Sequence, residues 1–290
     1  MTGYEAQGEG IGIQWDPSRV DPAGIHHVGT DKALQRFLAA LPDLIWNAAA
    51  LEGNTFTLPE VRSFLDGSPV HGGSIEDERQ LLALSEGYTL VAELVSVREF
   101  RLDKSTSNRI HHLVARHEAI ESGHFRGEGS VHGGGTVRLM AGGYVDGVPQ
   151  AELQGRWRLL MERLAEIQDP RLRALVYNAA ATRTQYYFDG NKRTARLMSA
   201  GELMAHGFHS VNIPYARRQD FNLALDELFQ TDNATQLMAF TVSCAVDPAA
   251  SRSDQKWTHA RFPELRDTKL DPYGLDEDPV QAETGTDYER

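Results

Sequence analysis

One cysteine, Cys244, stands in 290 residues, so no disulfide can form within the chain and a reducing, cytoplasmic setting is expected. Long apolar runs are missing as well. No stretch approaches the roughly 18 residues a membrane helix needs, and no contact with a bilayer is expected. The start MTGYEAQGEG has neither a basic leader nor an apolar run, so a secretory signal is not expected. Basic side chains are in deficit: 29 Lys+Arg against 41 Asp+Glu give a formal net charge of -12, which argues against a groove that tracks nucleic-acid phosphates. Repeats and low-complexity tracts are absent. What remains, 41% hydrophobic and 24% charged residues, is enough for one large or two ordinary domains with a sizeable core.

Residues 1–30 (…GEGIGIQWDPSRVDPAG…) are rich in Gly, Asp and Pro and read as an arm on the surface. The Gly8, Gly10, Gly12 spacing follows no strand and opens no helix, so a dinucleotide fingerprint is set aside. From Lys32, apolar residues recur at steps of three and four through Ile45, interrupted at Pro42, and the helical pattern stops at Gly53-Asn54. Thr57 followed by Glu60 has the capping-box form and opens a short helix. Ser74 opens a long one, and a further helix is expected after Ser107. Between Gly123 and Pro149 the texture turns Gly-rich, with apolar runs at 136–140 and 143–148 that suit a hairpin, the one place where β-structure is expected. Pro149 is expected to open the next helix, and four more follow near 171–186, 192–206, 220–230 and 234–246. The fold class is mostly α with a small β-hairpin flap. Beyond Asp247 acids accumulate and large apolar residues thin out, so 247–290 reads as a solvated, flexible tail, with Trp257, Phe262 and Leu265 available to pin its first part.

The most informative stretch runs from Gln185 to Arg196, QYYFDGNKRTAR. One helix ends near Tyr186 and another begins near Lys192, which puts Gly190 and Asn191 in a tight turn at a helix N-terminus. Free backbone N–H groups and the positive end of the helix dipole collect anions there. Lys192, Arg193 and Arg196 add positive charge, and Asp189 is the lone carboxylate, a residue type that binds Mg2+ beside phosphates. These features describe a nucleotide-phosphate cradle. An ordinary helix start with two solvated arginines stays open beside it. A Walker A loop is excluded, because no Gly-Lys-Ser/Thr sequence occurs.

This segment resembles the Fic (Fido) family signature His-Pro-Phe-x-Asp/Glu-Gly-Asn-Gly/Lys-Arg-x-x-Arg, which Asp189, Gly190, Asn191, Lys192, Arg193 and Arg196 match in one register. Leu51-Glu52-Gly53-Asn54, with Thr57, Glu60 and Val61, is similar to the inhibitory-helix segment that precedes the family core, and Gly123-x-Phe125-Arg126 to the start of its target-binding flap. The resemblance implies a helical bundle with the inhibitory segment at 31–70 and the core at 71–246. It further implies binding of ATP with Mg2+ and transfer of AMP to a Ser, Thr or Tyr hydroxyl of a target protein. The nucleotide would lie on Gly190, Asn191, Lys192, Arg193 and Arg196, the metal on Asp189, and the catalytic positions would be Gln185, Asn191 and Arg193. Glu52 would pair with Arg196 and hold it from the outer phosphate, although Ala48 stands where the inhibitory motif has Ser or Thr.

Gln185 departs from the family, whose histidine removes the proton from the incoming hydroxyl. An amide has no useful proton affinity near neutral pH, and loss of a general base costs about 10^2 to 10^4 in rate. A catalytically silent nucleotide-binding module is therefore the alternative. Lys192, shared with the Doc toxin kinase, keeps γ-phosphoryl transfer open. A homodimer is compatible with the sequence. His111, His112 and His117 with Glu118 lack the spacing of a helical zinc motif and read as surface or core residues. His124 and His132 fall in the expected flap, and Cys244 reads as an inert buried thiol.

Overall fold

Local capping starts the helices. In the structure, a computed structural model that describes residues 10–68 and 73–245, the Thr57 backbone N–H and hydroxyl both donate to Glu60 Oε2 at 2.7 Å. Ser74 Oγ accepts from the Asp77 amide at 3.0 Å, and proline occupies the first turn of three helices. The elements run α1 Thr30–Ala39, α2 Leu41–Leu51, α3 Leu58–Leu65, α4 Ile75–Ser96, α5 Lys104–Val114, β1 Thr136–Arg138, β2 Tyr144–Asp146, α6 Leu153–Glu166, α7 Pro170–Thr184, α8 Asn191–Ala205, α9 Arg218–Thr231 and α10 Thr235–Ser243. The fold is mostly α with one two-stranded antiparallel hairpin, in which Val137 pairs with Val145. Among the described residues no helix is long and apolar enough to cross a membrane.

The core centres on α8, which packs against α4, α5 and α7 and buries Ala195, Leu197, Met198, Leu203 and Met204. The alanines of α7, from Ala174 to Ala181, keep that helix close to it. Gly201 on α8 has a specific reason: a Cβ there would lie 2.1 Å from the Phe100 ring, which occupies the space instead. The N-terminus of this buried helix is where the polar loop of the sequence falls.

Three expectations are corrected. The segment from Ile11 to Ile25 is not a surface arm: Ile11, Ile13, Trp15, Val20 and Ile25 are all buried in the main core. Its backbone is fastened to the α9–α10 junction, where the Gln14 amide donates to Asp232 O at 2.8 Å and the Ala234 amide to Gln14 O at 2.7 Å. Glycines and prolines bend the segment, but its alternating Ile-x-Ile-x-Trp is a strand-like inward face. Besides the hairpin, isolated single-residue bridges join Gln14 to Asn233 and His27 to Phe208. Next, α5 starts before Ser107, because Asp103 is the cap and accepts from the Thr106 amide at 2.8 Å; Ser107 is buried instead. Pro149 leads into a short 3-10 turn, Gln150–Glu152, before α6. The tail at 247–290 and Gly8 lie outside the described residues.

Trp15 is 4% exposed, in a segment whose backbone is fastened to the α9–α10 junction. Trp15→Ala is expected to cost about 3 to 5 kcal/mol in urea unfolding, and a loss below about 1 kcal/mol would return the segment to a surface role.

Candidate active site

Gln185 closes α7 in the left-handed conformation, φ 56° and ψ 63°, an uncommon state for a side chain larger than Asn. The turn is braced from within. Asn191 Nδ2 donates to Gln185 Oε1 at 2.9 Å and to Tyr187 O at 2.8 Å, while Asn191 Oδ1 accepts from the Tyr187 amide at 2.8 Å. Gln185 Nε2 donates to Thr182 O at 2.7 Å. Both amide side chains are buried, and their bonds hold the loop in shape.

Gly190 caps α8 at φ 76°, and a Cβ there would come within 2.6 Å of the Ala115 Cβ, so the position demands glycine. Its N–H donates to Asp189 Oδ1 at 2.6 Å. Behind the turn lies His111, which sequence reasoning left as a core or surface histidine. The Gly123 amide donates to its Nδ1 at 2.8 Å, so the proton sits on Nε2, which donates to Asp189 O at 2.8 Å. Burial pulls its pKa down to about 3, and the ring stays neutral. It stacks on Tyr187, centroids 3.7 Å apart, and the Tyr187 hydroxyl reaches Ser107 and Asn108. Tyr187 is buried in the core, and its hydroxyl finds the polar partners that a buried phenol needs.

The segment from Arg126 to Val148 closes over this loop. Arg126 donates from Nε to Gln185 O and from Nη2 to Val148 O, each at 2.7 Å, and its amide donates to Tyr186 O at 2.8 Å. The Gly135 amide donates to Phe188 O at 3.1 Å and that of Val148 to Thr184 O at 3.0 Å. A Cβ on Gly147 would stand 2.5 Å from Gln185 Cβ, so glycine lets the two backbones approach.

Between them opens a cleft of about 410 Å³, lined by Glu52, Gly134 to Arg138, Gln185 and Phe188 to Arg193. It brings together Glu52, Gln185, Asp189, Gly190, Asn191, Lys192 and Arg193. Arg196 sits one turn further along α8, outside the cleft lining but joined to it through Glu52. Neither His124 nor His132 lines the cleft. Among the described residues no group of three or more His, Cys, Asp or Glu side chains is arranged to hold a metal by itself.

The cations at the start of α8 are paired with acids. Glu52 Oε2 lies 3.1 Å from Lys192 Nζ, and Arg196 Nη2 donates to Glu52 Oε1 at 3.3 Å. Burial opposes the charge on Glu52, but the fields of Lys192, Arg196 and Arg193 outweigh it and hold its pKa at about 2. Arg193, only 3% exposed, grips Glu118 with both terminal nitrogens, one bond to Oε1 measuring 2.9 Å, and donates to Val114 O at 3.2 Å. Glu118 was legible only as a carboxylate beside three histidines; its partner lies 75 residues further on. Asp189 is the exposed acid, its side chain 61% accessible at the rim.

A helical domain whose central helix starts at a glycine turn beneath a short hairpin is the class defined by this fold and site. No family model matches the chain. Over 188 residues it is 30% identical to the protein adenylyltransferase Fic of Drosophila grimshawi, an alignment spanning 61% of this chain and 36% of that protein. The chain thus spans about a third of the length of the curated relatives it matches. Its fold is similar to that of a Fic-domain signalling protein from Bacteroides thetaiotaomicron, with TM-score 0.60 and 18% identity over 71% of this chain and 82% of that one. A Fic family protein from Desulfovibrio desulfuricans gives TM-score 0.57 at 18% identity over 74% and 63%. The fold is that of a Fic (Fido) domain.

The Glu52 pairs have a pH signature. A carboxylate whose pKa falls on folding, from 4.5 to about 2, contributes stability above about pH 4.5 that disappears as pH drops toward 2. The melting-temperature advantage of wild type over Glu52→Gln is therefore expected to be full at pH 7, smaller at pH 4 and smaller again at pH 3. An advantage that stays constant across that range would contradict the ion-pair geometry.

Proposed function

We propose that the cleft binds ATP with Mg2+ and that the domain transfers AMP from it to a Ser, Thr or Tyr hydroxyl of a target protein, under restraint by Glu52. The observation that carries this reading is the convergence of the Gly190 turn, the start of α8, Lys192 and the exposed Asp189 on one cleft beneath the hairpin. The residues fit the ligand. The first amides of a helix lack intrahelical acceptors and point outward, as a phosphate requires. Asp189 is an exposed carboxylate beside that turn, and Mg2+ takes one or two such ligands together with phosphate oxygens. Magnesium held there would supply neutralisation of phosphate charge.

Transfer would form a bond from the acceptor oxygen to the α-phosphorus and break the bond to the leaving pyrophosphate. Lys192 and Arg196 are the cations suited to the phosphates, and Glu52 engages both. Nucleotide therefore competes with Glu52, which makes the carboxylate an autoinhibitory contact. Arg193 is committed to Glu118, so its part is first to fix the start of α8. Gln185 supplies no proton acceptor, and its amide is already engaged with Asn191 and Thr182. The acceptor's proton would leave to water, and transfer would be slow. That closed amide also favours the second reading, a nucleotide-binding module without transfer.

Glu52→Gly is expected to tighten MgATP binding on the order of tenfold, equivalent to about 1.4 kcal/mol, in titration calorimetry; unchanged or weaker binding would refute the restraint. Gln185→His is expected to raise incorporation of label from α-labelled ATP into protein by about 10^2 or more. Label from γ-labelled ATP alone would replace AMP transfer by phosphoryl transfer. Binding with no transfer in either protein would establish the silent module.

A further inference from the structure

The hairpin over the cleft is too short to hold itself. Its strands are three residues each, and two-stranded ribbons of that size are marginal in water. Thr136, Arg138, Tyr144 and Asp146 face solvent, and only Val137 and Val145 turn inward. The base is tied to the motif loop through Gly135 and Val148, as described above. The tip, Leu139 to Gly143, is tied elsewhere. In this turn Gly142 and Gly143 adopt φ of 95° and 85°, the Leu139 amide donates to Gly143 O at 3.1 Å, and the amides of Met140 and Ala141 point away from the ladder. Asp226, on α9, receives both: the Met140 N–H donates to Oδ1 at 3.0 Å and the Ala141 N–H to Oδ2 at 2.8 Å.

Asp226 is buried and takes part in no ion pair among the described residues. A buried carboxylate without a cation is unfavourable unless hydrogen bonds satisfy it, and bonds from amides to a charged acceptor are the stronger kind. The two tip amides meet that need. Arg183 adds a lateral strut, reaching Asp146 O from Nη1 at 3.3 Å and Asp232 Oδ1 from Nε at 2.6 Å. Met140 and Tyr144 remain on the outer surface, 47% and 71% exposed, where a second chain can touch them.

We infer that Asp226 is a positioning residue that clamps the hairpin tip to α9 and so fixes the height of the hairpin over the cleft. Its consequence for acceptor presentation rests on the transfer reading of the cleft; the clamp itself does not. The test is hydrogen exchange of the full chain, followed by mass spectrometry of peptides covering 134–147, α8 and α9. Asp226→Ala is expected to accelerate exchange at 134–147 at least tenfold while α8 and α9 keep wild-type rates. Asp226→Asn, which retains one acceptor oxygen, should fall between them. Unchanged exchange at 134–147 in the alanine variant would overturn the clamp, and so would acceleration spread evenly over α8, α9 and the hairpin, which would mark Asp226 as a general stability residue. MgATP affinity, read by calorimetry on both proteins, should agree within about threefold. A wild-type chain that binds no MgATP would overturn the nucleotide reading and leave the exchange result to judge the clamp.

Discussion

A buried helix that starts at an open cleft must satisfy its first backbone amides without the previous turn to help. In this chain that constraint falls on α8, whose Gly190 cap offers its first amides no side-chain acceptor, and the loop from Gln185 to Asn191 is held in shape by bonds of its own. Gly190 takes the left-handed cap that no side chain fits, Asn191 binds the loop to itself, and His111 holds the Asp189 carbonyl from behind. The apolar flank of α8 fixes where its axis lies. The polar loop then has little freedom in where its amides point.

Charge is organised around the same helix end. Three cations fall within two turns of the start of α8, yet the chain as a whole is acidic. Two carboxylates from distant segments, Glu52 at the end of α2 and Glu118 beyond α5, restore local balance. They differ in kind. Arg193 is nearly inaccessible, and separating it from Glu118 would leave a buried charge unpaired, a costly state. Glu52 is shared by two cations at the cleft wall, and it is the contact that the proposed nucleotide would have to displace.

Much of this was legible in the sequence because it is local. Helix starts at Thr57 and Ser74 follow from capping chemistry within four residues, and the glycine turn at 190 from its own neighbours. The contact between Glu52 and Arg196 was reachable only through resemblance, since 144 residues separate them. What escaped is non-local and carries no pattern of its own: Glu118 on Arg193, Asp226 on the hairpin tip, and His111 between Gly123 and Asp189. Each is a single polar side chain whose partner is fixed by tertiary packing alone. The segment from Ile11 to Ile25 was misread for a different reason. Its five buried residues span too few positions to outweigh the glycines and prolines around them.

That segment also bears on how the chain comes to fold. The Asp16 amide donates to Thr235 Oγ1 across 219 positions of sequence, and Trp15 is buried beside that bond. During synthesis Asp16 emerges 219 positions ahead of Thr235, so the bond that fastens this segment can close only after most of the described helices have been made. Closing so long a loop costs more entropy than a local contact does, and pairings of such long range slow folding; the seam between residues 14–16 and the α9–α10 junction is one of them.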